Sequence, residues 1–311
     1  MSTPRIVLTG ATGFIGSAVL ARLADEPVRI RALTRREHPL PPQVEQVRAD
    51  LAEPESLPGT CSRADVLIHA ASHIGSDEQR CVRVNDVGTA ALMREARRAG
   101  VARVVQLSTT AVYGRGPHRA AAPGDLKPAP GSPASRTRLA GEAHALRSGA
   151  LVLRAGLVTG AGDRWVVPAL AELTRRVPGH WDGGRARLSM IAVEDLARLV
   201  VQAVLHPSAT GVRGVQHAVH PVPVRNRELL DALASLGLLP AVQGELTWEE
   251  CRSRLAERPG RVSERQLALL AFDHWYSAGA LWTACASDPG PGPLTRLAGA
   301  ADWYRAHLMR F

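Results

Sequence analysis

Three glycines in the segment Thr9-Gly10-Ala11-Thr12-Gly13-Phe14-Ile15-Gly16 stand where the backbone, not side chains, would do the binding. The first permits a tight turn, the second lets the main chain approach a pyrophosphate, and the third lets a helix pack closely on the preceding strand. A phosphate then meets the N-terminus of that helix, whose free N–H groups favour an anion. Gly10, Thr12, Gly13, Phe14, Ile15 and Gly16 are therefore the expected cradle of a dinucleotide. Thr34, Arg35 and Arg36 follow the second strand, where an acidic residue would bind a ribose hydroxyl and repel a 2′-phosphate. Guanidinium groups at that place can clamp a phosphate and stack on adenine, which favours NADPH over NADH. Asp50-Leu51, after the third strand, suits the adenine amino group, and Ala70-Ala71, after His69, are small enough for the dinucleotide to pass.

These residues need elements to hold them, and the first half of the chain supplies them in alternation. Short β-branched runs at Arg5 to Thr9, Val28 to Thr34, Val66 to Ala70, Val104 to Ser108 and Leu151 to Arg154 are separated by helical spacing at Gly16 to Ala24, Asp86 to Ala99 and Arg136 to Arg147. Strand, helix, strand in repetition predicts an α/β fold, a Rossmann doubly wound parallel sheet. The Ala/Pro/Gly-rich stretch Gly116 to Pro133 reads as a loop placed where a lid could sit. Residues 1–160 are expected to form the nucleotide-binding domain, with later segments returning to it. Residues 161–311 are expected to be mainly a smaller substrate-binding cap, with helices at Val167 to Arg176, Val193 to Leu205, Arg227 to Leu236 and Leu297 to His307.

Composition excludes several classes of function. The net charge of +9 comes from arginine, with Lys127 the only lysine, and the basic residues alternate with acids along helices. With aromatics at 4%, no basic run interleaved with aromatics marks a nucleic-acid surface. No apolar run reaches the length of a membrane span, and no leader precedes the first strand, so a cytoplasmic protein is expected. Cys61, Cys81, Cys251 and Cys285 form no C-x-x-C pair and read as reduced, buried thiols with no metal.

Taken together, Gly10-x-x-Gly13-x-x-Gly16, Asp50-Leu51, His69-Ala70-Ala71, Asn85 with Gly88-Thr89, Leu107-Ser108-Thr109-Thr110-Ala111-Val112-Tyr113-Gly114, Leu139-Ala140-Gly141-Glu142, Val193-Glu194-Asp195-Leu196-Ala197 and Asp302-Trp303-Tyr304 cover nearly the whole chain. This set resembles the extended short-chain dehydrogenase/reductase family of the NAD-dependent epimerase/dehydratase type, which includes nucleotide-sugar epimerases, dehydratases and ketoreductases. The resemblance maps the hydroxyl that polarises a substrate carbonyl onto Thr109. It also implies a Tyr-x-x-x-Lys acid/base pair, which this chain lacks: Ala134, 21 residues after Tyr113, stands at the tyrosine position and Arg138 at the lysine position. A guanidinium does not deprotonate, so Arg138 is expected to position the cofactor. The proton is then left to Tyr113, to His69 or His73, or to the substrate and solvent.

Losing the tyrosine damages an epimerase, which must take hydride and return it, more than a one-way reductase. The leading expectation is an NADPH-dependent ketoreductase acting on a polycyclic aromatic polyketide ketone of antibiotic biosynthesis, whose own phenolic hydroxyl supplies the proton. Trp165, Trp181, Met190, Trp248, Trp275 and Trp282 of the cap could wall a planar ring. The alternatives are a catalytically silent NADP(H) redox sensor that regulates a partner, and a nucleotide-sugar epimerase or dehydratase with a displaced base. Arg94, Arg97, Arg98, Arg136 and Arg138 load the helices through which relatives pair, so a monomer or weak homodimer is expected.

Overall fold

The computed structural model describes residues 3–308. Seven strands form one all-parallel sheet, in the spatial order Gly214–Ala218, Leu151–Ala155, Arg103–Thr109, Val66–His69, Arg5–Thr9, Arg29–Thr34 and Val44–Arg48. Val66–His69 is buried along its whole length, as is Leu151–Ala155, because helices cover both faces of the sheet. On one face, Phe14–Ala24 packs against Val193–Leu205 through Val19, Leu20, Leu23, Leu196 and Val200. On the other, Leu92, Met93 and Ala96 pack with Ala145 of Pro133–Arg147.

Chain order reverses where Arg5–Thr9 lies beside Val66–His69, and the carboxyl ends of these two strands open the crevice in which a parallel sheet binds its ligand. The strand Gly214–Ala218 and the helix Val193–Leu205 return from the second half of the sequence to the sheet. The other later elements surround a second core built on Leu170, Trp181, Leu188, Leu230, Leu267 and Tyr304. The stretch read as a free loop is tethered: His118–Ala121 within it pairs in parallel with His274–Tyr276. A four-residue strand whose partner lies far along the chain leaves no local periodicity to detect. The helix expected at Asp86 to Ala99 begins earlier and runs from Glu78 to Arg98, with a π-helical stretch over Val82–Gly88. All four cysteines are buried and unpaired. No described helix is long and apolar enough to cross a membrane.

Arg103, at the start of the interior strand Arg103–Thr109, fastens the helix Val193–Leu205 and its following turn to the sheet. Only 7% exposed, it donates to Ala203 O near the end of helix Val193–Leu205 and to Ala209 O, Thr210 O and Val212 O of the turn that follows, sharing Ala209 O with Val212 N and the last two with Arg213. Arg103→Met should lower the unfolding free energy by about 2–4 kcal/mol, because several buried acceptors lose a charged donor at once. A urea midpoint unchanged from wild type would contradict this role.

Candidate functional site

At the mouth of the crevice the backbone makes two close approaches. Gly10 has φ +74°, and a Cβ there would lie 2.7 Å from Ala71 N; a Cβ on Gly16 would lie 1.9 Å from Gly10 O. Helix Phe14–Ala24 therefore begins directly against the strand end, with no side-chain cap and no acid in its first turn. Its N-terminal N–H groups are left for an anion. Gly10, Thr12, Gly13, Phe14, Ile15, Gly16, Arg35, Asp50, Leu51, Ala70 and Ala71 all line one cleft over this turn. Arg36 lines an adjoining polar hollow, which also contains Arg35, Arg48 and Arg80. Among the described residues, none of these four guanidinium groups forms an ion pair. A backbone cradle that excludes Cβ atoms fits a dinucleotide, beside a hollow lined by unpaired guanidinium groups together with Glu37, Asp50 and Glu53. Asp50 Oδ1 accepts from Ala52 N at 2.9 Å, shaping the turn beside the adenine end.

The floor of the cleft is held by a histidine that was a candidate proton source. His69 is 1% exposed, with Nδ1 2.7 Å from Thr9 Oγ1 and Nε2 3.0 Å from Thr89 Oγ1. Thr9 Oγ1 in turn accepts from Ala71 N. Burial, aided by the charge of Arg138, brings the imidazole down to about 4, so it is neutral and structural. His73 is half-buried in the cleft wall, and Asn85 clamps its backbone, accepting from His73 N at 2.7 Å and donating to His73 O at 2.9 Å. Asn85 also donates to Thr137 Oγ1 at 3.0 Å, tying this wall to the helix Pro133–Arg147.

Thr109 ends its strand half-buried, and its Oγ1 accepts from Ala111 N at 3.2 Å, which leaves the hydroxyl proton available. Arg138 is half-buried, reaches toward Leu107 O at 3.4 Å, and is brought down to about 10 by burial against the opposing pull of Glu142. Ala134, in the first turn of the same helix, has no proton to give.

Thr109, Arg138 and Tyr113 all stand outside the lining of the cleft, and Tyr113, the most enclosed of the three, is engaged in the interior instead of presenting the acid expected of it. It is 2% exposed, its hydroxyl is 2.7 Å from His217 Nε2, it stacks on Tyr276, and the Arg154 guanidinium lies 4.7 Å over its ring. Arg154 is held by Glu142, itself 1% exposed, through Nη2–Oε2 at 2.6 Å, and Ser108 Oγ donates to the same carboxylate. Of the six cap residues expected to wall a substrate, only Trp165 lines the cleft, at 56% exposure. Trp181, Met190 and Trp282 are buried, Trp248 packs on Phe272, and Trp275 lies under Arg187. Trp165 is aimed by Asp163, whose buried carboxylate accepts from the backbone of Trp165, Val166 and Val167 and from Tyr304 OH. The sequence reading missed Arg48, Arg80 and Asp163. Arg48 and Arg80 carry no motif, since an exposed arginine resembles its many neighbours until the fold assembles them.

Comparison with known proteins agrees with this geometry. The profile of the NAD dependent epimerase/dehydratase family matches residues 6–215. The chain belongs to that family. It is 26% identical to a 2-alkyl-3-oxoalkanoate reductase of Stenotrophomonas maltophilia, with 88% of this chain and 91% of the relative aligned. It is 27% identical to a 4-hydroxy-2-methyl-3-oxo-4-farnesyl-3,4-dihydroquinoline-1-oxide ketoreductase of Stigmatella aurantiaca, over 80% and 78% of the two chains. A short-chain dehydrogenase/reductase superfamily protein of Agrobacterium tumefaciens, solved with bound NAD, superposes with a TM-score of 0.76 at 21% identity, covering 98% of each chain. The family is one of oxidoreductase-type proteins with a nicotinamide cofactor.

His69 and His217 are both held near 4 against an ordinary value of 6.5, in each case first by burial. Between these values the unfolded chain binds protons that the folded chain refuses, so stability falls as pH drops from about 6.5 toward 4. Each histidine should contribute up to about 3 kcal/mol to that loss. His69→Gln should flatten the slope of denaturant midpoint against pH; an equal slope would show that the ring protonates freely in the fold.

Proposed function

We propose that this chain is an NADPH-dependent ketoreductase of polycyclic aromatic ketones, in which the enzyme stabilises the oxyanion but does not supply its proton. The observation that carries the proposal is the missing donor. The glycine turn is retained, as is Thr109 at the position where the family resemblance puts the carbonyl-polarising hydroxyl, while position 134 is alanine and both Tyr113 and His69 are buried and engaged elsewhere.

Bound NADPH would supply hydride to the carbonyl carbon. Gly10, Gly13 and Gly16 admit its pyrophosphate, Arg35 and Arg36 hold the 2′-phosphate, Asp50 and Leu51 border the adenine, and Ala70 and Ala71 leave room for its passage. Arg138 orients the nicotinamide ribose and adds a positive field. Thr109 donates its free hydroxyl proton as a hydrogen bond to the developing oxyanion. The proton itself comes from the substrate or solvent. A hydroxylated ring ketone of the angucyclinone type carries a phenol beside the carbonyl, which makes an internal donor available and fits an antibiotic-biosynthetic setting. Trp165, exposed at the cleft, offers a flat apolar face to such a ring. Two reductases among the curated relatives support a reductive direction.

NADPH absorbance decay with hydroxylated polycyclic ketones, run beside NADH and nucleotide sugars, tests the proposal. Turnover with NADPH and the aromatic ketones is expected. NADPH binding without consumption would make the chain a silent redox sensor, and nucleotide-sugar conversion without net cofactor use would make it an epimerase. Thr109→Val should lower kcat about 10²-fold with the NADPH Kd unchanged, the usual cost of one oxyanion donor; a wild-type kcat would remove Thr109 from the reaction.

A further inference from the structure

The arginine-lined hollow has two walls, and only one belongs to the dinucleotide motif. Arg35 and Arg36 follow the second strand, whereas Arg80 comes from the opposite side, in the first turn of the helix that begins at Glu78. Arg80 is the one guanidinium besides Arg35 that lines both the main cleft and the adjoining hollow.

Its backbone is fixed from three directions. Asp77 Oδ1 accepts from Arg80 N at 2.9 Å and caps the turn; Glu78 Oε1 accepts from Arg136 Nη2 at 2.8 Å; Cys81, next in sequence, is fully buried. With Cys81 facing inward, the exposed Arg80 side chain is directed along the cleft. Asp77, the carboxylate nearest in sequence, is spent on the cap and forms no ion pair with it among the described residues. The His73 imidazole, in the wall of the main cleft, is lowered by burial first and then by Arg80 and Arg35, with Asp77 opposing. Guanidinium groups from both walls thus bear on the same ring. Glu37, Asp50 and Glu53 also line the hollow, yet among the described residues none of them forms an ion pair with Arg35, Arg36, Arg48 or Arg80, so these guanidinium groups are still open to an anionic ligand.

We propose that Arg80 is a specificity-determining residue for the cofactor, closing the hollow from the far wall so that the 2′-phosphate is held between it and Arg35. This rests on the NADPH reading above and adds a second wall to it. A phosphate gripped from both sides distinguishes NADPH from NADH more sharply than the strand-end arginines alone. It also makes the first turn of the helix that begins at Glu78 part of the cofactor site.

The test uses binding rather than turnover. Calorimetry on the wild-type protein and on Arg80→Gln, Arg80→Lys and Arg35→Gln would compare adenosine 2′,5′-bisphosphate with adenosine 5′-monophosphate, and NADPH with NADH. Arg80→Gln should weaken the 2′-phosphorylated ligands about 10- to 100-fold, the range for one charge-assisted contact, and leave the others within about twofold. Arg80→Lys should recover part of the loss. In the ligand-free protein, NMR titration should show the His73 pKa rising in Arg80→Gln while the amide resonances keep their folded dispersion, which separates loss of the Arg80 charge from loss of folding. Equal weakening of both ligand classes would assign Arg80 to the pyrophosphate instead and overturn the proposal, as would an unchanged preference. If wild-type protein itself prefers neither ligand, the NADPH reading fails; if it prefers the 2′-phosphate and Arg80→Gln does too, only the role of Arg80 fails.

Discussion

The approach of helix Phe14–Ala24 to the strand before it governs the rest of the molecule. With 1.9 Å between Gly10 O and the place of a Cβ on Gly16, no other residue type lets the helix start so close to the strand end. That proximity puts the helix N-terminus at the reversal of strand order, where the crevice opens. It also lets Val19 and Leu23 reach the apolar face they share with Val193–Leu205, so ligand site and core follow from one packing constraint.

A second constraint explains why the site is short of proton donors. The buried pair Glu142–Arg154 is sustained only by further partners: Ser108 donates to the carboxylate, and the guanidinium covers the face of Tyr113. Isolated, either charge would cost several kcal/mol to bury. The network therefore requires Tyr113 to lie in the interior, with its hydroxyl on His217, and a phenol used this way is withdrawn from the cleft.

The sheet and the nucleotide turn were legible in the sequence because both are written locally. Short continuous runs of Val, Ile and Leu mark Arg5–Thr9 and Leu151–Ala155, and glycine spacing marks the turn between the first strand and its helix. The short cap strands, the start of the helix at Glu78 and the destination of Tyr113 were not legible. They depend on partners such as His274, Arg136 and His217, each more than 50 residues distant in sequence. Arg35 could be singled out from its place after the second strand, but Arg80 could not, since nothing local separates it from Arg83 or Arg94. The tryptophans show the same limit: composition counts them, and only packing tells Trp165 from the buried Trp181.

The parallel pairing of His118–Ala121 with His274–Tyr276 also bears on how the chain folds. His118 meets Tyr276 across 158 residues of sequence, so this closure bears a large loop entropy before any contact repays it. As the ribosome delivers the chain, the sheet strands from Arg5 to Ala155 can pair early. The tyrosine–histidine cluster beneath the tethered segment stays open until nearly the whole polypeptide has emerged. High contact order is thus concentrated in this cluster, which can close only after Tyr276 has been made.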